Sequence, residues 1–496
     1  MKKKLLFSLL VSITFFTTKA QIQIGSDIDG ENEGDRSGRS VSINSDGTIV
    51  AIGANLNGTN NSHTGHVRVF ENINNTWTQI GQDIDGDNAG DESGTSISLN
   101  DSGTIVAIGA RFVDPTLTGQ VRVFENTNNT WTQIGQDING EEILSLFGTS
   151  VDLNASGAII AIGAVGVSDS TGQVRVFENI NNTWTQIGQD IDGENTSDQF
   201  GFSVNLNDDG NIVAIGSPFN DTNGESSGQV RIFENINDSW VQIGQSIIGE
   251  ADQDNSGISI HMNSDGTIIA VGATFNNNVN GFTGHVRVYE NTNNTWTQIG
   301  QDIDGDADDE LFGTSVSLND NGTILAVGAT FSDSPNGEDT GQVKIYKRQN
   351  NNWIQIGNNI DGEAALNFFG GAVSLSSSGD TVAIGATFND GDTGVDSGHV
   401  RVFDLSNVLN IEDVLSDNDI LLYPNPASNH IIIKNTPIPI LKELTLTDIH
   451  GRYLENHKVT TTISDIQIDL NNYSSGIYFI HIQTENSSIT KRIIKK

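Results

Sequence analysis

The sequence predicts an all-β chain in two parts: a closed seven-bladed β-propeller over residues 21–404 and a small antiparallel, Ig-like β-sandwich over 419–496. Three observations carry this. Trp77, Trp131, Trp184, Trp240, Trp296 and Trp353 recur every 53 to 57 residues. Seven hairpin glycines, Gly47, Gly103, Gly157, Gly210, Gly266, Gly322 and Gly379, keep the same period. After residue 404 the repeat stops and Ile, Tyr, Pro and Lys rise, as at a domain boundary.

One unit, residues 311–363, reads LFGTSVSLNDNGTILAVGATF, a loop, then GQVKIYKRQNNNWIQIGNNIDGE. It parses into four short β-rich strands: A (TSVSL), B (TILAVGA), C (QVKIY) and D (WIQIG). The A–B connections, such as Asn207-Asp208-Asp209-Gly210, are tight-hairpin signals, because glycine takes positive φ without strain. Four antiparallel strands at this period are a propeller blade. The seventh unit lacks its Trp-containing strand D, and Gln21-Ile22-Gln23-Ile24-Gly25 matches the segment that follows each Trp. These residues are expected to complete blade seven and leave no open sheet edge.

Ahead of the ring, residues 1–20 have the layout of a secretory signal: Lys2 to Lys4, an apolar run from Leu5 to Phe16, and Ala20. No later stretch approaches the roughly 20 apolar residues of a membrane-spanning helix. The chain has no cysteine, which excludes disulfides, zinc-thiolate sites and thiol nucleophiles. Residues 21–418 hold 12 Lys/Arg against 56 Asp/Glu, a formal charge of −44, so nucleic acid is excluded as a partner class. Residues 405–418 are expected to be a polar linker.

Residues that occur once per blade read as packing. This covers the tryptophans, the aromatics ending strand C (Phe70, Phe124, Phe177, Phe233, Tyr289, Tyr346, Phe403), and the strand-C cations Arg68, Arg122, Arg175, Arg231, Arg287, Lys344 and Arg401. His66, His285 and His399 share a position with Gln120, Gln173, Gln229 and Gln342, so a hydrogen-bonding role is expected there; His63 and His261 are isolated. No nucleophile–His–acid spacing is evident, and no catalytic residue is assigned.

Phe-Gly precedes strand A (Phe147-Gly148, Phe200-Gly201, Phe312-Gly313, Phe369-Gly370), and Gly-Ala or Gly-Ser-Pro follows strand B (Gly109-Ala110, Gly216-Ser217-Pro218, Gly328-Ala329). This grammar resembles the FG-GAP repeat of integrin-α-like propellers. The resemblance implies an extracellular adhesion or ligand-binding module. The family's calcium pattern in the A–B hairpin is not carried over, since turns such as Asn100-Asp101-Ser102-Gly103 and Ser376-Ser377-Ser378-Gly379 are short of carboxylates.

The tail contains Tyr423-Pro424-Asn425-Pro426, then Asp448-Ile449-His450-Gly451-Arg452, then Ser475-Gly476-Ile477-Tyr478, and ends in basic residues 491–496. These ordered motifs resemble the C-terminal sorting domain of type IX secretion cargo in Bacteroidetes. The resemblance implies the type IX machinery as a partner and a cell-surface or secreted destination.

In a four-stranded blade the D–A and B–C loops lie on one face, and the D–A loops are acidic: Asp29, Glu31 and Asp35; Asp85, Asp87 and Asp91; Asp192, Glu194 and Asp198; Asp304, Asp306, Asp308 and Asp309. This face is the expected ligand face. Its carboxylates suit calcium, with solvated turn chemistry as the alternative reading. The repeat breaks modestly at residues 141–144 and 277–282. Near-identical blades favour binding of an extracellular glycan or protein; an exported polysaccharide-active hydrolase or lyase is the second reading.

Overall fold

The computed structural model describes residues 20–58, 62–113, 116–278, 281–391, 393–409, 420–435, 443–458, 466–483 and 488–496. The signal-like segment before Ala20 and linker residues 410–418 lie outside them. The chain divides into two compact units, residues 1–409 and 410–496.

Among the described residues, the first unit contains seven antiparallel blade sheets, one per repeat, with strand order A-B-C-D in each, and a two-stranded sheet of Asn277–Asn278 with Gly281–Phe282 in the B–C loop of blade five. In blade two, A is Ser96–Leu99, B Ile105–Ala110, C Gln120–Asn126 and D Trp131–Gln133. A short outer segment, Ile138–Asn139, rejoins strand C beyond a break in D. In blade six the two outer pieces merge into one strand, Asn352–Asp361. Each strand A packs on the strands A of its two neighbours, so the seven sheets form a ring with A innermost.

The ring closes where expected. Ile22 and Gln23 pair with Asp404 and Phe403, and Ile28 and Asp29 pair with Val400 and His399, adding the missing outer strand to blade seven. The compact unit continues past residue 404 to Leu409. Leu405 and Val408, on a turn of helix at Ser406–Leu409, are wholly buried in the core shared with blade six. Sequence polarity places the start of the linker at 405; two apolar side chains spaced three apart extend the fold beyond it.

The blade interfaces explain the repeated tryptophans. The indole N–H of Trp131 donates to the Ile80 carbonyl of the preceding blade at 2.9 Å, and Trp77, Trp184, Trp240 and Trp296 repeat that bond. Gly81, at φ +75°, lies under Trp131, and a Cβ there would meet the indole Cδ1 at 2.6 Å. Phe147, Phe200, Phe312 and Phe369 are fully buried between blades, with Arg175 stacked 4.5 Å over Phe147 and Arg231 4.3 Å over Phe200.

The second unit has two sheets, of strands 420–423, 430–435 and 466–469, and of strands 453–458, 443–448, 476–483 and 488–495. Both contribute to one apolar core that includes Ile431, Ile468, Leu444, Ile480 and Ile493, the arrangement of a sandwich.

Candidate functional site

The A–B end of the axis is encircled by two closed rings of hydrogen bonds. The outer ring is backbone to backbone and runs through the seven hairpins, from Ser45 N to Asp101 O, onward through Ala155, Asp208, Ser264 and Asp320, and back from Ser377 N to Ser45 O. The inner ring is side chain to backbone. Ser42, Ser98, Asp152, Asn205, His261, Ser317 and Ser374 each accept the N–H that ends strand A of the next blade, from Leu99, Leu153, Leu206, Met262, Leu318, Leu375 and Ile43. Blades three to five break the serine pattern. Asp152 takes Leu206 N at 2.7 Å, and His261 Nδ1 takes Leu318 N at 3.2 Å, which makes His261 the Nε2–H tautomer.

Ser42, Ser98, Asp152, Asn205, His261 and Ser374 line a cavity of about 130 Å³ with Asp101, Asp208 and Asp320. Burial pushes Asp152 up to about 6, against hydrogen bonds from Leu206 N, Ser98 and Asn205. Burial pulls His261 down to about 4. Burial, then repulsion from Asp101 and Asp320, raises Asp208 to about 6. Asp152 accepts Leu206 N, Ser98 and Asn205, and His261 Nδ1 accepts Leu318 N, so both side chains take part in ring closure. A pH test follows. An acid whose folded pKa is raised stabilises the fold at low pH and loses that contribution as pH rises through about 6. Asp152→Asn should therefore raise the melting temperature more at pH 7.5 than at pH 5; an equal effect at both would mean that Asp152 is not desolvated.

At the opposite end, parallel bridges such as Gly65–Ser93 and Gly119–Phe147 tie each B–C loop to the following D–A loop, so these loops do share a face. The acidic D–A residues there serve the strand-C cations. Glu31, Asp87, Glu194 and Asp306 pair with the buried Arg68, Arg122, Arg231 and Lys344 at 3.7, 2.8, 3.5 and 2.9 Å. The backbone carbonyls of Asp29, Asp85 and Asp192 accept from Arg68, Arg122 and Arg231 at 2.6–2.7 Å. Asp35, Asp91 and Asp198 are buried inside their loops, where Asp35 accepts Asn32 N at 2.8 Å, Asp91 accepts Asn88 N at 2.9 Å, and Asp198 accepts Asn220 Nδ2 at 2.7 Å. Asp304 sits on the outer strand opposite His285, while Asp308 and Asp309 are exposed at a loop tip. Seven of these carboxylates are thus engaged, Glu31, Asp87, Glu194 and Asp306 by a strand-C cation and Asp35, Asp91 and Asp198 by loop donors, while Asp304, Asp308 and Asp309 are exposed.

The feature of this face that sequence reasoning missed is an arc of aromatic and guanidinium groups running through blades six, seven, one and two. Phe331 packs on Phe368 at 4.8 Å, and Phe368 on Phe388 at 5.1 Å. Arg36 stacks 4.5 Å over Phe388. Arg39 is held below its ordinary pKa by desolvation first, then by Arg111, with Glu92 opposing and Arg36 adding to the shift, although its side chain still reaches solvent. Arg111 pairs with Glu92 at 3.4 Å and lies 4.5 Å over Phe112. One signal was available: of the 12 basic residues in the body, nine lie in strands C and the other three are Arg36, Arg39 and Arg111.

In the tail, the motif residues are turn and clamp positions. Asn425, between Pro424 and Pro426, donates to Arg492 O at 2.8 Å and accepts Ile494 N at 2.9 Å, fixing the turn after Tyr423 to the last strand. Asp448 accepts the N–H groups of His450 and Arg452 at 2.9 Å around Gly451 at φ +75°, and its carboxylate pairs with the Arg452 guanidinium at 3.1 Å. Gly476 starts the strand in which Tyr478 enters the core, and the Tyr478 hydroxyl donates to Ser474 O at 2.7 Å.

Among the described residues, no helix is long and apolar enough to cross a membrane. No curated protein matches the sequence. Similar solved structures include a periplasmic gluconolactonase of Pseudomonas aeruginosa, at 14% identity and TM-score 0.44 over 66% of this chain and 85% of that one. Others are U3-55K, at 11% and 0.47 over 78% and 98%, and a putative 6-phosphogluconolactonase from Bacteroides uniformis, at 10% and 0.49 over 85% and 99%. Residues 191–233 match the FG-GAP repeat, and residues 421–496 match the secretion system C-terminal sorting domain. The chain thus carries an FG-GAP repeat within its propeller and a C-terminal sorting domain that marks it for export.

Proposed function

We propose that the mature chain is an extracellular binding protein, delivered as type IX cargo, that holds an anionic polysaccharide on the D–A/B–C face of its propeller. The observation that carries this is the clustering of Arg36, Arg39 and Arg111 beside an aromatic row in a body of charge −44. At physiological salt the screening length is about 8 Å, so a local cationic patch acts on a ligand touching it despite the acidic remainder. Guanidinium forks pair with carboxylate or sulfate groups, and the half-exposed rings of Phe331, Phe368 and Phe388 offer apolar faces to sugar rings. Glu92 is committed to Arg111 and to Asn55 Nδ2 at 3.3 Å, so the arc supports binding without chemistry on the bound polymer. The sorting tail supplies the route, with removal of the tail at the surface and release or attachment of the propeller there.

The test is binding of the full secreted chain to polygalacturonate and to neutral dextran at physiological salt. We expect binding to the polyuronate alone, weakened at least about tenfold in an R36E/R39E/R111E variant, the scale of losing one or two charged hydrogen bonds. Equal retention on both polymers, or full affinity in the triple variant, overturns the reading.

A further inference from the structure

The first position of strand C, histidine in three blades and glutamine in four, carries a chemistry that neither the repeat grammar nor the binding face requires. His66, His285 and His399 are each 1% exposed, and Nε2 of each is buried without a hydrogen-bond partner. A buried polar atom left in this state costs about 1–3 kcal/mol, and here the cost recurs three times. Each imidazole stands with two carboxylates: Glu31 and Asp83 at His66, Glu250 and Asp302 at His285, and Asp27 and Glu363 at His399. In each group one ring nitrogen and one oxygen from each acid lie within 4.8 Å of one another, and His399 Nδ1 is 3.7 Å from Asp27.

The three groups are built alike. The Glu comes from a D–A loop, the Asp follows strand D, and the histidine opens strand C. Gln79, Gln298 and Gln23 donate to Asp83, Asp302 and Asp27 at 2.6–2.7 Å, orienting each acid from behind. Of the four glutamine blades, two keep both acids, Asp87 with Asp137 in blade two and Glu141 with Asp190 in blade three, whereas the other two keep one, Glu194 beside Ser246 and Asp306 beside Asn359. The neighbouring strand-C cation lies 3.7, 3.3 and 3.8 Å from its loop acid in the histidine blades and 2.8, 2.6, 3.5 and 2.9 Å from it elsewhere.

We propose that His66 with Glu31 and Asp83, His285 with Glu250 and Asp302, and His399 with Asp27 and Glu363 are three equivalent sites for a zinc-class divalent cation. One imidazole nitrogen and two carboxylate oxygens suit such an ion, with water at a fourth position, whereas calcium takes oxygen ligands alone. Ligand distances near 2.0–2.2 Å are reached by side-chain rotation, since each Glu is 40–47% exposed and can swing inward. Bound ions would fasten three D–A loops to the strands C behind them.

The experiment is equilibrium dialysis of the full secreted chain against zinc, with the bound metal counted, and the same against calcium. We expect three zinc ions per chain, falling by one in each of H66Q, H285Q and H399Q and to none in the triple variant, and no calcium uptake that follows these residues. Glutamine occupies this position in four blades, so the variants should keep the parent's metal-free melting temperature. X-ray absorption of the zinc-loaded parent adds a readout independent of any variant and should show one nitrogen among oxygen neighbours. Zinc uptake unchanged by the triple substitution, an all-oxygen shell, or no saturable uptake overturns the proposal.

Discussion

Deleting Gln21–Gly25 should produce the largest loss of stability of any short deletion in the propeller, with a sharply lower melting temperature and aggregation on heating. The segment adds a strand to blade seven through Ile22 and Gln23, and Ile24 N donates to Val402 O at 2.7 Å. The Ile24 carbonyl also accepts the Trp77 indole at 2.8 Å, so the deletion breaks the link between the last blade and the first. It also removes the Gln23 acceptor 3.1 Å from Arg401 Nε and the 2.7 Å bond from Gln21 to Asn358 O in blade six. The Val402–Asp404 end of strand C would present an unpaired edge, which templates association. Removing several hydrogen bonds and the packing of Ile24 in one step exceeds the usual range of a single substitution. A deletion variant that melts with the parent would show that these residues do not close the ring.

Lys344→Met should cost about 3–5 kcal/mol, the scale of a buried charge left without its partner. Lys344 and Glu310 are each 1% exposed and meet at 2.9 Å, with Asp306 at 2.9 Å on the rim. Other blades place arginine at this position and, in four of them, aspartate where blade six has Glu310: Asp35, Asp91, Asp198 and Asp254. The shorter cation of blade six is thus met by a longer acid, which still accepts Asp306 N at 2.7 Å to cap its loop. Denaturant titration should show the loss in K344M and recovery in K344R/E310D, which gives blade six the arginine and aspartate that blades one, two, four and five carry at these positions. Wild-type stability of K344M would mean that Glu310 is satisfied without the lysine.

These two sites show how far local sequence reaches. The blades were legible because a hairpin is specified by neighbours: Asn-Asp-Asn-Gly sets a turn, alternating residues set which face is buried, and the period repeats the result. Closure was legible too, since a missing strand D at one end matched a spare one at the other. The tail motifs were legible as an ordered set, and the structure gives them a physical content as a clamp at Asn425, a turn at Asp448 and a core anchor at Tyr478.

Other features depended on meetings that no spacing along the chain encodes. The acidic D–A loops read as solvated or calcium-binding because their partners, the strand-C cations, lie 34 to 39 residues away, as with Arg68 and Asp29 or Lys344 and Glu310. His261 looked isolated, yet it accepts the backbone N–H of Leu318, 57 residues on, because consecutive strands A touch at the axis. Arg36 and Phe388 are separated by most of the chain and meet only because the ring closes. The sequence by itself therefore determined the strands, the number of blades and the closing segment, all of which follow from hydrogen bonding and side-chain alternation within one repeat. Which residues face the axis, which acids are neutralised and where the arginines gather were decided by the tertiary structure alone, because closing seven sheets into a ring brings together positions whose separation along the chain carries no information about their distance.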